Sequence, residues 1–303
     1  MSQSPQKAPK NLNKDLIILH FTVFIWGFTG ILGQLITISA VQLVWYRVFI
    51  ASVSLFLYFK FSKTDFKVER KTIVKMVFTG AIVGAHWVLF FASIKLSTVP
   101  VTLVCLSSIT LFTAIFEPMI KKTSISKLEI LAGLLIISGI VLIFKFETKY
   151  TKGIITGLMS AVCASLFSII NSKFVQKTQA PVIAFYELSG AFFWISVYLL
   201  VINGYNQKLL LKPTDVGYLL LLGTVCTSLA YVAGVSVMRQ LSAFRVALIT
   251  NLEPVYGIIL SFIFFGDLNK MSLGFWAGSV LILSTIFLYP VAQTQIARRK
   301  NRP

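Results

Sequence analysis

Asn251, Glu253 and Pro254 stand near the middle of AFRVALITNLEPVYGIILSFIFFG, residues 243–266, a run apolar and long enough to cross a bilayer. Hydrocarbon solvates no charge, so a carboxylate at that depth must face a polar cavity or a partner. Pro254 has no N–H, and the carbonyl of Thr250 one turn earlier therefore loses its helical donor and is free for a ligand or a water. Together these residues read as the core of a solute pathway, with Pro254 as its hinge. Glu253 can meet a substrate amine there or carry a proton, because a carboxyl group that moves between dry and wet surroundings can cycle between charged and neutral forms. The competing reading is a neutral carboxyl bonded to a neighbouring helix, and Thr250 and Asn251 can equally be hydrogen bonds between helices.

Arg47 lies inside another apolar run, some six residues from its end. It can be a cavity cation that binds a substrate carboxylate or pairs with an internal acid; its long stem can also carry the charge out to the interface. His86 sits in a third run beside Trp87. A lone histidine in an apolar helix is a relay, a cavity group or simply a satisfied core residue. Trp26, Tyr186, Tyr231 and Tyr256 are aromatic surfaces that can wall a solute or only pack.

Several chemistries have no residues to support them. The three cysteines, Cys105, Cys163 and Cys226, lie in apolar runs with no CxxC or Cys/His spacing, so disulfide and metal sites are not expected. An intramembrane enzyme is a remote alternative: the two histidines form no HExxH, and GxSxG and paired intramembrane aspartates are missing. No catalytic residue and no cofactor is expected. The chain also has no GxxxxGK[ST] loop, so any work it does must draw on a gradient or on the solute itself.

The elements that position these residues follow from composition. The sequence has 303 residues, 56% hydrophobic and 13% charged, with mean hydropathy +0.84. Such an excess of apolar side chains outnumbers the interior of a soluble domain and marks an integral membrane protein. Ten runs of about 20 residues appear, at 16–36, 41–60, 73–94, 98–119, 127–145, 153–172, 181–203, 214–238, 243–265 and 272–290. Of the 28 lysines and arginines, 20 fall on the side that holds both termini and 7 on the other, with Arg47 inside a span. That bias places both termini in the cytoplasm and explains the net charge of +18 without nucleic acid. The first 15 residues are polar and are followed by a full span without an AxA-type cleavage site, so no leader is expected to be removed.

The halves resemble each other. An offset of 145 sets Ser97 on Ser242, Val101 on Val246, Leu103 on Leu248, Ala132-Gly133 on Ala277-Gly278, and His86 on Tyr231; nearer the N-terminus an offset of about 140 sets Tyr46 on Tyr186 and Arg47 on Glu187. Five spans is an odd number, so the second copy must enter the membrane from the opposite side. The expected fold is an all-α membrane protein of ten transmembrane helices in two inverted five-helix repeats. Its divisions are a tail over 1–15, repeats over 16–145 and 153–290, and a basic tail over 291–303. Inversion puts Arg47 and Glu187 toward opposite sides, and a direct contact between them is not expected. Gly274 and Gly278 form a GxxxG that serves either a dimer or internal packing.

Trp26-Gly27, Arg47, SIKLSTVPVTLVCLSSITLF at 93–112 and SAFRVALITNLEPVYGIILSFIFFGD at 242–267 resemble, in order and spacing, the drug/metabolite transporter superfamily and its ten-helix EamA family. The resemblance covers about 15–290. It implies a central cavity framed by helices 1, 3, 4, 6, 8 and 9, a scaffold of helices 5 and 10, and export or exchange of small metabolites, amino acids or drugs. The sequence departs from the pattern at Asp267, at Lys122 with Glu117-Pro118 a turn earlier, and at Ile109 in place of a proline. A kink is therefore expected in helix 9 more than in helix 4.

The functional expectation is a secondary transporter working by alternating access. Its cavity is formed by Glu253, Asn251, Thr250, His86, Trp87, Tyr231, Trp26, Arg47 and Tyr256. The alternatives are a passive channel or a lipid flippase. Its partners are a small-molecule solute and membrane lipid, with no nucleic acid, in a monomer or homodimer of the bacterial inner membrane.

Overall fold

An apolar run in hydrocarbon can satisfy every backbone N–H and C=O within itself only as an α-helix. The computed structural model describes residues 12–62, 67–122, 127–202, 204–205, 211–266 and 271–300, and its helices follow the ten apolar runs. They are α1 (Leu12–Leu35), α2 (Ala40–Ser62), α3 (Arg70–Leu96), α4 (Val99–Lys121), α5 (Lys127–Phe146), α6 (Thr151–Phe174), α7 (Ala180–Val201), α8 (Pro213–Val237), α9 (Ala243–Phe265) and α10 (Leu273–Lys300). Nine are long and apolar enough to cross a membrane, and α5 contributes a shorter apolar stretch, Leu131–Ile143. No strand occurs among the described residues. The backbone of α10 continues to Lys300, past the expected end at 290.

The packing carries the twofold relation between the halves. Helix α1 packs on α8 and α9, as α6 packs on α3 and α4; α2 packs on α8, as α7 packs on α3. The pairs α2 with α7, α4 with α9 and α5 with α10 join each helix to its own counterpart. Advancing every label by five returns the same set of contacts. Since each half has five spans, the two copies run in opposite directions, and the fold is a pair of inverted repeats. Helices α5 and α10 lie together at one edge, where a Cβ on Gly278 would come within 2.6 Å of the Gly139 carbonyl oxygen. The close approach that GxxxG allows is thus used inside the chain.

Matching caps start the paired helices α4 and α9. The Thr98 hydroxyl accepts from Val101 N–H and the Ser242 hydroxyl from Arg245 N–H, each filling an orphan donor of a first turn. Both helices are also interrupted at mid-length. In α9 the break falls at Asn251, between Ala243–Thr250 and Leu252–Phe265, where Pro254 leaves the Thr250 carbonyl without its helical donor. Helix α4 breaks too, between Val99–Leu106 and Ile109–Lys121, against the expectation of a kink mainly in helix 9. No proline is needed. The Ser108 hydroxyl donates to the Cys105 carbonyl at 2.6 Å and the Ser107 hydroxyl to the Leu103 carbonyl at 3.3 Å, competition with the backbone ladder that bends helices. Helix α8 carries a wider irregularity, a π turn over Thr224–Leu229.

Candidate functional site

Residues beside the breaks in α4 and α9 line one cavity of about 80 Å³, room for several waters, and the π turn in α8 holds its Arg47 wall through Thr227. Its walls include Trp26, Arg47, His86 and Trp87 from α1 to α3, and Tyr231, Thr250 and Glu253 from α8 and α9. Most of the remaining wall is apolar. The cavity reaches toward the α8–α9 turn, where Met238, Val246 and Ala247 border it.

Arg47 is 1% exposed and does not extend out to the interface. The π turn explains why. Thr227 bonds back to the Leu222 carbonyl five residues earlier, and its hydroxyl oxygen then accepts from Arg47 Nε at 2.5 Å; Arg47 Nη2 donates to the Cys226 carbonyl at 3.5 Å. The guanidinium carbon lies 4.1 Å above the Trp87 ring, a cation–π contact strengthened by desolvation. Nη1 is buried with no hydrogen-bond partner. Glu253, 5% exposed, lines the same cavity and acts on Arg47 electrostatically without touching it. Lys121 pairs with Glu117 at 2.5 Å, while among the described residues neither Arg47 nor Glu253 is in an ion pair. The cavity lining thus holds a cation, Arg47 on α2, and a carboxyl group, Glu253 on α9, each with free hydrogen-bonding capacity.

His86 is tied across to α6. Its Nδ1–H donates to the Ser160 carbonyl at 3.0 Å, and the Ser160 hydroxyl donates to the His86 carbonyl at 2.9 Å. The ring is therefore fixed by the α3–α6 contact. Two of the expected wall residues face elsewhere. Asn251 is 1% exposed and its amide donates to the Thr110 hydroxyl and, at 2.9 Å, to the Ala247 carbonyl. Thr250 and Glu253 are three apart and share a helix face, whereas Asn251 is turned about 100° from Thr250 and so meets α4. Tyr256 packs into the α1–α9 seam, with its Cβ against Gly27 and its ring 5.5 Å from Phe24. Glu187 makes no ion pair with Arg47, as the inverted relation requires; it lies on α7 behind the wall, bonded to Asn171 and Tyr231. Sequence reasoning missed Asn171, Phe167 and Ser168 of α6, which line the cavity. The signal available was an amide near the end of an apolar span.

The EamA-like transporter family model matches residues 14–145 and, a second time, 151–289. The chain belongs to the EamA-like transporter family. Its function is accordingly that of a drug/metabolite-type transporter of small solutes, in a multi-pass membrane protein. A solved crystal structure, described only as that of a protein, is 12% identical and superposes with a TM-score of 0.69 over 92% of this transporter and 98% of that chain, a likeness of fold. No curated protein matches the sequence.

Acids at the helix ends of the transporter are tied into the frame and leave Glu253 as the carboxyl group of the cavity wall. Glu117 at the end of α4, a turn before Lys122, accepts from Phe244 N–H at 2.9 Å and so caps α9. Asp267, its expected counterpart after α9, lies outside the described residues. Glu147 accepts from Ser272 N–H at 2.7 Å and caps α10. Asp215, fully buried, accepts from the Thr37 N–H at 3.1 Å and hydroxyl at 2.7 Å, joining the start of α8 to the α1–α2 turn.

Proposed function

We propose that this chain is a secondary transporter of zwitterionic small solutes, exporting or exchanging them by alternating access. The observation that carries the reading is a cation and a carboxyl group, Arg47 and Glu253, in the lining of one mostly apolar cavity, neither in an ion pair. Arg47 Nη1, buried and unpartnered, supplies the fork for a solute carboxylate. Glu253 receives the solute amine. Trp26 and Phe90 accommodate an apolar or aromatic side chain between them. Thr250, with its carbonyl freed by Pro254, adds a polar contact beside Glu253, and Pro254 is the hinge on which the second half of α9 turns. The short connections between α3 and α4 and between α8 and α9 make each pair move as a hairpin, opening opposite faces in turn. The lysine and arginine bias supports both termini in the cytoplasm; the bacterial inner membrane and outward flux are part of the proposal.

Counterflow into vesicles that contain the purified protein tests the charge requirement. Three sets of probes share the same side chains: amino acids, their amides and the corresponding deaminated acids. Saturable exchange within the amino-acid set alone is expected. Equal exchange of the amides or acids refutes the paired-charge site, unsaturable flux identifies a channel, and lipid movement selective for headgroup identifies a flippase.

A further inference from the structure

Glu187 is a buried acid that the solute site does not use. It is 0% exposed, on α7, one layer behind the cavity. Its Oε2 accepts from the Tyr231 hydroxyl at 2.7 Å and from the Asn171 amide at 3.0 Å, while Oε1 is buried without a partner. Asn171 donates at 3.0 Å to Tyr231 as well, and its own Oδ1 is also unpartnered. The cluster therefore has two acceptor oxygens and no donor left for them. A buried acceptor left unmade costs about 1 to 3 kcal/mol, and more when it carries charge.

No cation answers the carboxyl group. The helices packed on α7 are α2, α3 and α8, and α6 reaches it through Asn171. From α8 the facing titratable group is Tyr231. Helix α3 lies against the main chain of α7, with Gly80 at the main-chain carbonyl of Glu187, and its His86 is held by Ser160. Arg47 on α2 is turned to Thr227 and Trp87. No lysine, arginine or histidine among the described residues is within ion-pair reach of Glu187. What such a group can take up without a counter-ion is a proton.

We propose that Glu187 is the coupling site of the transporter, taking up and releasing a proton that Tyr231 passes between it and the cavity. Tyr231 and Asn171 both line the cavity, and Tyr231 touches it on one side and the Glu187 oxygen on the other. A proton arriving at the phenol oxygen from a hydronium in the cavity, which is left as water, displaces the phenol's own proton onto Oε2, so the tyrosine ends neutral and the carboxylate becomes a carboxylic acid. Release runs the same path in reverse.

The site is also linked to the solute cation. The Arg47 guanidinium lies on Trp87, and the Trp87 ring meets Tyr231 edge-on at 5.7 Å. An anion that draws Arg47 away from Trp87 frees the ring that buttresses Tyr231, and with it the bond that Tyr231 makes to Glu187. Proton and solute thereby act on one contact from its two ends. That consequence rests on the solute reading above; the proton site itself does not.

Infrared pH-difference spectra of the full chain in lipid vesicles, with no solute present, test the site. Wild type is expected to show a protonated-carboxyl C=O band that disappears in alkaline buffer. Glu187→Gln should lose it and Glu253→Gln should keep it; a band intact in Glu187→Gln overturns the proposal, as does one that responds to sodium and not to pH. Should Glu187→Gln fail to fold, Tyr231→Phe, which removes one hydroxyl, must still move the midpoint of the band by about a pH unit, the equivalent of one hydrogen bond of about 1.4 kcal/mol. An unmoved midpoint also overturns it. In counterflow with the amino-acid probes, Glu187→Gln should keep exchange and lose accumulation driven by a pH gradient. If those probes do not move at all, the solute reading fails while the infrared band still decides Glu187.

Discussion

At the scale of single residues, two charges in a dry cavity set the terms. Removing one partner of a buried charge-assisted contact costs about 2 to 5 kcal/mol of binding. Glu253→Gln is therefore expected to lower affinity for the amino-acid probes by about thirtyfold or more while the protein still inserts and remains monodisperse. Wild-type exchange from that variant would remove Glu253 from the site. Arg47→Lys should rescue little, because a compact ammonium cannot lie flat on Trp87, bond Thr227 and still present a second fork; parallel counterflow of Arg47→Lys and Arg47→Met, with Lys no better than Met, is the expected result. Glu253 and Arg47 were legible in the sequence as charges where hydrocarbon forbids them. The direction of Arg47 was not, because a six-residue depth allows both a cavity and an escape to the interface, and the π turn that decides between them has no sequence signature. Asn251 and Thr250 are adjacent in sequence yet face different helices, a distinction that rests on the exact rotation of α9 after its break.

At the scale of the helix, the ten spans and their order were readable because span length is fixed by bilayer thickness. Packing partners were readable only through the repeat. Irregularities were half readable: Pro254 announces the break in α9, while Ser107 and Ser108 break α4 with hydroxyl bonds to the backbone of the kind that Ser52 and Thr79 also make within unbroken helices. The GxxxG of α10 was ambiguous in the same way, since small residues fit an internal neighbour as well as a second copy. The structure spends Gly278 on α5, and that is testable. A Cβ there would sit 2.6 Å from the Gly139 carbonyl oxygen and 2.7 Å from the Ile143 side chain. Gly278→Ala is expected to destabilise the protein by about 1 to 3 kcal/mol through overpacking, seen as a lower unfolding midpoint in detergent, with its elution volume unchanged. A shifted oligomer size with an unchanged midpoint would instead put Gly278 between chains.

At the scale of the whole molecule, the two inverted halves are alike in fold and unlike at their ends. Where α1 turns into α2, Thr37 and the buried Asp215 form a clasp that closes α8 against the turn. The repeat offsets carry those two positions to Lys177 and Arg70 at the opposite end, two cations that cannot form the same contact. The end at the α8–α9 turn, which the cavity reaches, is fastened differently, by Arg239 Nε donating to the Val175 carbonyl at 3.1 Å, while the clasped end is filled by residues such as Ile36 at 0% exposure. A transporter that alternates must break that clasp once per cycle, and a hydrogen bond to a charged group contributes about 1.5 to 3 kcal/mol. Asp215→Ala should then move the balance between the two faces by about tenfold or more toward opening at the clasped end. The reporter is Ile36→Cys in a background lacking Cys105, Cys163 and Cys226, labelled by an impermeant maleimide from the side of the α1–α2 turn. Faster labelling with Asp215→Ala, slowed again by Asp215→Glu, is the expected pattern; equal rates in all three would mean that apolar packing and the hydrogen bond from Lys95 Nζ to the Ile36 carbonyl hold the end shut without Asp215, and that this asymmetry of the repeats has no part in the cycle.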